Sequence, residues 1–322
     1  MWTTPWSHRV YFAVMTCAYY IEYCYELLWE FLESPGSWHK YTEVGPLSDA
    51  IYGNIVLCVD NSTGDAVAIK RAKAVNCKFR RPVSKALHHM VAVYEDIEME
   101  RTILRDLNHV HGGHPHILKL RDDFLSNGYH NFVLEYCPHG DLMDLLLAQK
   151  RFSVDQAHRF LRQVASAVHF MHTCGYAHRD LSFENVFVDA KDECKLGDFG
   201  LAIGLQARPR YPAGKPRYTA PEVYLGQPYA PGQVDVWALG MMLFIMITGE
   251  PLAEKAVSTN SKFQLLAQCG VKHVIATNST WRALVPPMCV DLLGRMLILE
   301  PQNRIDMGAV MIHPFVATDP PQ

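Results

Sequence analysis

Residues 178–185 have the sequence His-Arg-Asp-Leu-Ser-Phe-Glu-Asn, residues 198–200 are Asp-Phe-Gly and residues 220–222 are Ala-Pro-Glu. A His-Arg-Asp tripeptide alone is common in proteins and indicates little about function. Its combination with Asn185 and with the two later tripeptides, in this order and at these spacings, is too specific to be explained by chance. These three motifs therefore provide the strongest functional signal in the chain.

The motifs form the signature set of eukaryotic-type protein kinases, and the sequence resembles that superfamily over residues 41–317, nearly all of the chain. The resemblance implies a two-lobed protein kinase fold of the α+β class. We therefore expect a small β-rich N-lobe at residues 41–135 and a larger helical C-lobe at residues 136–317. Residues 1–40 would form an N-terminal extension.

The pattern of apolar residues also favours an α+β architecture. Before residue 135, short β-rich runs alternate with turns, and one segment has helical spacing. The strand candidates are residues 55–59, 66–69, 116–120 and 131–134, and the helix candidate is residues 94–107. After residue 137, helical spacing occurs at residues 141–149, 153–172, 235–248 and 288–299. A ligand is expected at the seam between two such parts.

The resemblance implies roles for the polar residues of these motifs. Phosphoryl transfer depends mainly on positioning the reactants and on neutralising charge. Asp198 and Asn185 would offer oxygen ligands to Mg²⁺, and Asp180 would orient the acceptor hydroxyl and take up its proton. Lys70, which ends the sequence Val-Ala-Ile-Lys, would hold the α- and β-phosphates of ATP. The expected cofactors are therefore ATP and Mg²⁺, and the expected substrate is a protein.

Further residues would complete the nucleotide site by the same resemblance. The ion-pair partner of Lys70 should be a glutamate of the following helix, for which Glu95, Glu98 and Glu100 are candidates. We expect Glu100, because Leu104 follows it four residues later, as in the family. The other implied nucleotide-binding residues are Gly53, Ile55, Ala68, Glu135, Cys137, Asp141 and Phe187.

Two supporting interactions are implied as well. Arg304 resembles the arginine that pairs with the glutamate of the Ala-Pro-Glu motif, here Glu222. Asp235 resembles the residue at the start of the helix that braces the catalytic loop. Both would serve the structure around the catalytic residues.

The phosphate-binding loop departs from the family pattern. Its three glycine positions, counted back from Lys70, fall on Ser48, Ala50 and Gly53, so that only one of them is glycine. Glycines allow the backbone to approach phosphates closely. Asp49 adds a negative charge, which would weaken nucleotide binding if it pointed inward. We expect it to point outward.

The catalytic loop departs from the pattern too. Most serine/threonine kinases have a lysine where Ser182 stands, and a threonine where Lys215 stands. Our hypothesis is an exchange, in which Lys215 returns the missing cation to the γ-phosphate and Ser182 keeps a hydroxyl nearby. The alanine- and arginine-containing motifs of tyrosine kinases are absent from this loop. Serine or threonine is therefore the favoured acceptor, with tyrosine as the alternative.

Tyr211 is the only residue with a side-chain hydroxyl between Gly200 and Lys215. Arg179, which precedes the catalytic aspartate, is the cation that would meet a phosphate on this tyrosine. Two interpretations stay open at this point. Tyr211 is either a regulatory phosphorylation site or an ordinary tyrosine of a segment that is ordered without phosphorylation.

The composition is ordinary for a soluble globular protein, with 49% hydrophobic and 20% charged residues and a net charge of −3. This near-neutral charge gives no argument for nucleic acid as a partner. The nine cysteines are an odd number, scattered and without a Cys-x-x-Cys motif. They favour reduced thiols and a cytoplasmic location.

The first 40 residues contain an apolar run at 10–21, which is too short to span a bilayer. Glu22, Glu26 and Glu30 follow at four-residue spacing and would form one polar stripe of a helix. We expect an amphipathic helix that packs on the domain behind it. Contact of residues 1–40 with a membrane is the alternative.

The leading functional hypothesis is an active, Mg-ATP-dependent protein kinase. The alternative is a pseudokinase scaffold or signalling adaptor with weak or no catalysis, which the degenerate phosphate loop and Ser182 support. A chain released from catalysis has no reason to keep five separate polar groups, and this argues for activity. The five are Lys70, Glu100, Asp180, Asn185 and Asp198. No motif indicates the substrate, the pathway or the oligomeric state.

Overall fold

The computed structural model describes residues 37–50, 53–73 and 96–318. They divide into two compact units, one formed by residues 37–73 and 121–134 and the other by residues 96–120 and 135–318. Three features expected from the sequence lie outside the described residues: the N-terminal helix, the tip of the phosphate-binding loop at 51–52, and Glu95.

The first unit is built around a five-stranded sheet. Its strands are β1 (Tyr41–Ala50), β2 (Gly53–Asp60), β3 (Ala66–Lys73), β4 (Leu120–Ser126) and β5 (Tyr129–Glu135). The order across the sheet is β1-β2-β3-β5-β4, and β2 pairs antiparallel with both β1 and β3. A short 3₁₀ turn, Ser37–Lys40, precedes β1.

Alternation of side chains gives β2 and β3 an apolar face, as expected for a pleated strand. Every second residue of the two strands is buried in the core of the unit: Val56, Cys58, Val67 and Ile69. Tyr41, Phe124 and Val133 complete this core. The residues between them are half-buried and share the opposite face: Ile55, Leu57, Ala68 and Lys70.

A two-residue turn joins β4 to β5. Asn127 and Gly128 have φ angles of 53° and 76°. A type I′ hairpin turn requires positive φ at both central residues, and an Asn-Gly pair adopts it at the lowest cost. The turn therefore favours the pairing of β4 with β5, the strand that lies next to β3.

The prediction of a strand at residues 116–120 is wrong. β4 begins only at Leu120, and the preceding residues form an isolated bridge between Ile117 and Leu196. Ile117 and Leu118 are both buried, although they are neighbours in the sequence. Neighbouring residues of a regular strand point to opposite faces. The apolar run therefore reflects burial on both sides of an irregular segment rather than a strand.

The second unit is mainly helical. Its longer helices are α1 (Ile97–Arg105), α2 (Leu142–Gln149), α3 (Val154–Thr173), α4 (Pro231–Thr248), α5 (Ser261–Thr277), α6 (Ser279–Leu284) and α7 (Pro287–Met296). Two short helices follow, α8 (Met307–Met311) and α9 (Pro314–Ala317). The helices expected at 141–149, 153–172, 235–248 and 288–299 are confirmed, with shifted ends.

Side-chain caps explain where several of these helices begin. The Asp96 side chain accepts a hydrogen bond from the Met99 N–H and so caps α1. Ser153 and Gln156 form a reciprocal capping box at the start of α3. The Asp141 side chain caps α2 by accepting from the Asp144 N–H at 2.9 Å. α1 ends in a single π-helical turn, Asp106–Val110.

Helix α4 is the central helix of this unit. It is apolar on all sides, and nearly all of its residues are buried. Among the described residues it is the one helix that is long and apolar enough to cross a membrane. A helix that is apolar all round and covered by other helices is a core helix, and we interpret α4 in this way.

Candidate active site

The catalytic loop, residues 178–185, lies between two short strands of the second unit. β6 (Tyr176–Ala177) precedes it and pairs with β9 (Ile203–Gly204). A 3₁₀ turn, Phe183–Asn185, ends it and leads into β7 (Val186–Val188), which pairs with β8 (Cys194–Leu196). Both ends of the loop are therefore held by antiparallel pairing.

The Asp235 side chain holds the start of this loop through hydrogen bonds. Its carboxylate accepts hydrogen bonds from the backbone N–H of His178 at 2.9 Å and of Arg179 at 2.8 Å. His172 Nε2 lies 2.9 Å from the same carboxylate. Asp235 is buried, so these bonds replace the water that its charge would otherwise need. The brace expected from the sequence is confirmed.

Asn185 lies directly against Asp180. Its Nδ2 donates to the Asp180 carbonyl oxygen at 2.7 Å and to the Asp180 carboxylate at 2.9 Å. Both amide hydrogens are thereby committed, and the Asn185 Oδ1 remains as the acceptor. The Asn185 carbonyl accepts from the Gly197 N–H at 2.9 Å, which joins this loop to the residue that precedes Asp198.

The backbone is strained at two positions of the site. Arg179 has φ of 67° and Asp198 has φ of 57°, in the left-handed region that favours glycine. Each such residue costs on the order of 1 kcal/mol and persists only when its surroundings enforce it. His178 contributes to this enforcement, because its Nε2 lies 3.0 Å from the Gly197 carbonyl and its ring packs on Phe199.

The oxygens of Asn185 and Asp198 suit Mg²⁺. Mg²⁺ prefers hard oxygen ligands, and it usually takes one or two from the protein and the rest from phosphates and water. The described part of the chain has no cluster of three or more His, Cys, Asp or Glu residues that could enclose a metal alone. One amide oxygen and one carboxylate are a donor set that fits Mg²⁺.

Lys215 also contacts Asp180, at both oxygens of its carboxylate. Its backbone N–H donates to Asp180 Oδ1 at 3.1 Å, and its ammonium donates to Oδ2 at 3.2 Å and to Ser182 Oγ at 2.9 Å. Burial raises the pKa of the Asp180 carboxyl, while Lys215 and His178 oppose this rise. The structure therefore brings together Ser182 and Lys215, the two residues proposed from the sequence to have exchanged roles.

Arg179 occupies an aromatic environment. Its guanidinium lies 5.0 Å from the ring centre of Tyr211 and donates to the hydroxyl of Tyr229 at 3.0 Å and to the Leu201 carbonyl at 3.3 Å. The Tyr229 hydroxyl in turn donates to the Tyr211 carbonyl at 2.9 Å.

Four expected nucleotide-binding residues of the first unit share one face of its sheet. In the β2–β3 pairing, Ile55 is opposite Lys70 and Gly53 is opposite Ala72, and Ala68 lies on the same face. A side chain at Gly53 would approach the Arg71 carbonyl oxygen to 1.7 Å, so only glycine fits there. Ser48 is exposed on β1, and the side chain of Asp49 lies outside the described residues.

The expected nucleotide-binding residues of the second unit have mixed environments. Asp141 forms an isolated bridge with Phe187, whose ring packs against Gly197. Burial raises the pKa of the Cys137 thiol to about 12, so this side chain is neutral. The Glu135 carboxylate accepts from the Lys119 N–H at 2.8 Å. The Glu135 side chain therefore stabilises the neighbouring backbone at Lys119.

Two of the three glutamate candidates differ sharply in burial. Glu100 on α1 is 2% exposed, whereas Glu98 lies on the exposed side of the same helix. The Asp96 N–H donates to the Gly200 carbonyl at 3.2 Å, which ties the start of α1 to the Asp-Phe-Gly motif. Within this unit, the environment of Glu100 is the one expected of a buried functional carboxylate.

The pairing of Glu222 with Arg304 is confirmed. Arg304 donates to both carboxylate oxygens, at 2.7 and 3.1 Å, and also to backbone carbonyls that include that of Ile298. The side chains of Arg304 and Glu222 are 0% and 8% exposed, respectively. A bidentate pair with further hydrogen bonds is the arrangement in which a buried ion pair is stable.

Residues 41–316 match the model of the protein kinase domain, which covers most of the chain. The chain belongs to the protein kinase family. Its described parts, a five-stranded sheet and a helical unit, agree with the two-lobed α+β kinase fold expected from the sequence.

Individual protein kinases show the same similarity over a shorter stretch. The chain is 32% identical to the maternal embryonic leucine zipper kinase of Xenopus tropicalis over 63% of its own length and 30% of that protein. It is 32% identical to the NUAK family SNF1-like kinase 1 of Homo sapiens, over 66% and 30% of the two chains. It is 29% identical to protein kinase kin1 of Schizosaccharomyces pombe, over 63% and 22%. The similarity thus spans about a third or less of these relatives.

Sequence reasoning missed Tyr229 in this kinase domain. Tyr229 binds both Arg179 and the backbone of Tyr211, yet it lies in a turn segment ahead of α4 and outside every motif. Tyr229 lies two residues before Pro231, and this proline indicates the start of a helix but no contact with Arg179. No pattern in the sequence would have connected it with the catalytic loop.

Proposed function

We propose that this kinase domain transfers the γ-phosphoryl group of ATP to a serine or threonine hydroxyl of a protein substrate. The observation that carries the proposal is the position of Asp180, whose Oδ2 accepts hydrogen bonds from Asn185 and from the Lys215 ammonium and whose Oδ1 accepts one from the Lys215 N–H. An oriented carboxylate next to an amide oxygen suited to Mg²⁺ is the combination that phosphoryl transfer requires.

The proposed roles within the second unit follow from its hydrogen bonds. Asp180 orients the acceptor hydroxyl and accepts its proton, while the Asn185 Oδ1 and the Asp198 carboxylate hold Mg²⁺. Magnesium would neutralise the phosphate charge when bound. Asp235 keeps the loop in place by binding two of its backbone N–H groups.

The proposed nucleotide contacts involve both units. Lys70 holds the α- and β-phosphates and pairs with Glu100, Gly53 lets the backbone approach the phosphates, and Ile55 and Ala68 pack on the adenine. The shared face of these β2 and β3 residues supports this assignment. On the other unit, Glu135 and Cys137 would meet the adenine through their backbone, Phe187 would pack on it, and Asp141 would meet the ribose.

A pseudokinase scaffold or signalling adaptor is the second candidate. The observation that favours it is the phosphate-binding loop, in which Ser48 and Ala50 occupy two glycine positions. A cytoplasmic location is also proposed, because the cysteines in the described part of the chain are all free thiols. Contact with a membrane through residues 1–40 is not favoured.

The test is phosphoryl transfer by the purified full chain. The chain is incubated with Mg-ATP and a mixed peptide pool, and phosphorylated residues are identified by mass spectrometry. We expect phosphoserine or phosphothreonine with the unaltered chain, none with Asp198→Asn, and normal amounts with Asp192→Asn. Asp192 is a matched control, since its side chain is 67% exposed. Absence of transfer by a folded, unaltered chain would favour the scaffold.

A further inference from the structure

We propose that Lys215 is a further catalytic residue of this kinase domain, which orients Asp180 and presents its ammonium to the phosphoryl group during transfer. The inference rests on the proposed function and extends it to a residue outside the three motifs. In this proposal, Lys215, Ser182 and Asp180 act together as one cluster.

The first argument is that Lys215 contacts both oxygens of one carboxylate. Its backbone N–H binds Asp180 Oδ1 at 3.1 Å and its ammonium binds Oδ2 at 3.2 Å. A carboxylate held at both oxygens cannot rotate freely, and its remaining lone pairs point in fixed directions. Lys215 therefore determines how Asp180 faces an acceptor hydroxyl.

The second argument concerns Ser182. Its hydroxyl is buried and accepts a hydrogen bond from the Lys215 ammonium at 2.9 Å. A lysine at position 182 would place a second cation in the same space, where like charges repel. Serine at 182 and lysine at 215 are therefore mutually compatible, and each explains the other.

The third argument is the backbone that brings Lys215 to this place. Gly214 has φ of 86°, and a side chain there would approach the Arg179 carbonyl to 2.6 Å. The Lys215 carbonyl accepts hydrogen bonds from the Tyr218 N–H at 3.0 Å and from the Thr219 hydroxyl at 2.9 Å. The segment can therefore lie against the catalytic loop only with glycine at 214.

The chemical role follows from the charge that develops during transfer. The acceptor oxygen forms a bond to the γ-phosphorus, its proton passes to Asp180, and the bond from the γ-phosphorus to the bridging oxygen breaks with its electron pair on ADP. Negative charge spreads over the three equatorial oxygens of the transferred group. The Lys215 side chain is 36% exposed, which leaves it accessible to bound reactants.

The experiment measures kcat and the KM for ATP and for a peptide substrate with the full chain. We expect Lys215→Met to lower kcat by about 100-fold, the effect of removing one preorganised charge from a transition state. The KM for ATP and the midpoint of thermal unfolding should stay close to those of the unaltered chain. Lys262→Met, which removes an exposed lysine of α5, should change none of these quantities.

A double exchange tests the cluster even if a single variant folds poorly. Ser182→Lys and Lys215→Thr should each reduce kcat, and the double variant should exceed both by at least about tenfold, since it restores one cation beside Asp180. The proposal holds only if both the kcat loss of Lys215→Met and this rescue are observed. Two results would overturn the assignment of Lys215 but not the proposed function, provided that the unaltered chain is active. One is a kcat of Lys215→Met within threefold of that of the unaltered chain. The other is a kcat of the double variant no higher than those of the single variants. No transfer by the unaltered chain would overturn the proposed function as well.

Discussion

The guanidinium of Arg179 lies over the ring of Tyr211, with 5.0 Å between the guanidinium carbon and the ring centre. Tyr211 is 42% exposed, whereas Arg179 is buried. The aromatic face thus provides the negative electrostatic surface that a buried cation needs. In this arrangement the Tyr211 ring, the Tyr229 hydroxyl and the Leu201 carbonyl are the partners of the Arg179 guanidinium.

From this contact we expect Tyr211→Phe to keep full activity and Tyr211→Ala to lose part of it. Phenylalanine keeps the ring, whereas alanine removes an interaction of about 0.5–2 kcal/mol, equivalent to roughly a twofold to thirtyfold fall in kcat/KM. The measurement is steady-state peptide phosphorylation. Loss of activity in Tyr211→Phe that matches the loss in Tyr211→Ala would instead support regulation by phosphorylation of the hydroxyl.

The buried pair of Glu222 and Arg304 predicts a large effect on stability. Glu222→Gln leaves the Arg304 charge without its carboxylate, and we expect the free energy of unfolding to fall by about 3–5 kcal/mol. Urea denaturation followed by circular dichroism measures it. Glu254→Gln is the control, because Glu254 pairs with Arg217 at an exposed site and should change stability by less than about 1 kcal/mol. Similar effects of the two variants would contradict the prediction.

The close contact at Gly53 predicts that even alanine is not tolerated there. Its Cβ would lie 1.7 Å from the Arg71 carbonyl oxygen, so the β2–β3 pair must separate locally, at a cost of about 1–3 kcal/mol. Gly53→Ala should lower the thermal midpoint and the affinity for Mg-ATP, measured by calorimetry. Gly45→Ala is the matched control on β1, where no atom lies within 4 Å of the added carbon. Equal behaviour of the two variants would refute the steric explanation.

The bonds at Asp235 predict a role in shaping the catalytic loop. In Asp235→Asn one oxygen becomes an NH₂ group, so the N–H of either His178 or Arg179 loses its acceptor. A buried donor without a partner costs about 1–3 kcal/mol. We expect lower stability together with a lower kcat. The control is Asp155→Asn, an exposed change on α3, which should leave kcat unchanged. A normal kcat for Asp235→Asn would contradict the role of Asp235 in shaping the catalytic loop.

Much of the site could be predicted because its residues are close in the sequence. Asp180 and Asn185 are five residues apart, and the amide of one reaches the carboxylate of the other across a single turn. Glu100 is chosen as the partner of Lys70 because Leu104 follows four residues later on the same helix face, and this pairing stays a prediction. The burial of Glu100 and the exposure of Glu98 agree with that choice.

The incorrect strand at 116–120 has a physical cause. Apolar residues indicate burial, and a short apolar run does not distinguish a strand from an irregular segment. Ile117 and Leu118 are buried by different neighbours of the helical unit, including the backbone of Leu196, which accepts from the Leu118 N–H. Such neighbours are distant in the sequence, so the pattern could not reveal them.

The sequence by itself determined the family, the α+β class, the positions of the helices and the identity of the motif residues, because these depend on local spacing and residue type. The family resemblance also indicated some distant contacts, such as that of Glu222 with Arg304. The tertiary structure alone decided the atoms and distances of the contacts around Asp180 and Arg179. Lys215 reaches Asp180 across 35 residues, and Tyr229 reaches Arg179 across 50. These contacts depend on how the chain returns to the catalytic loop, and hydrogen bonds act only over about 3 Å, a distance that no sequence pattern encodes.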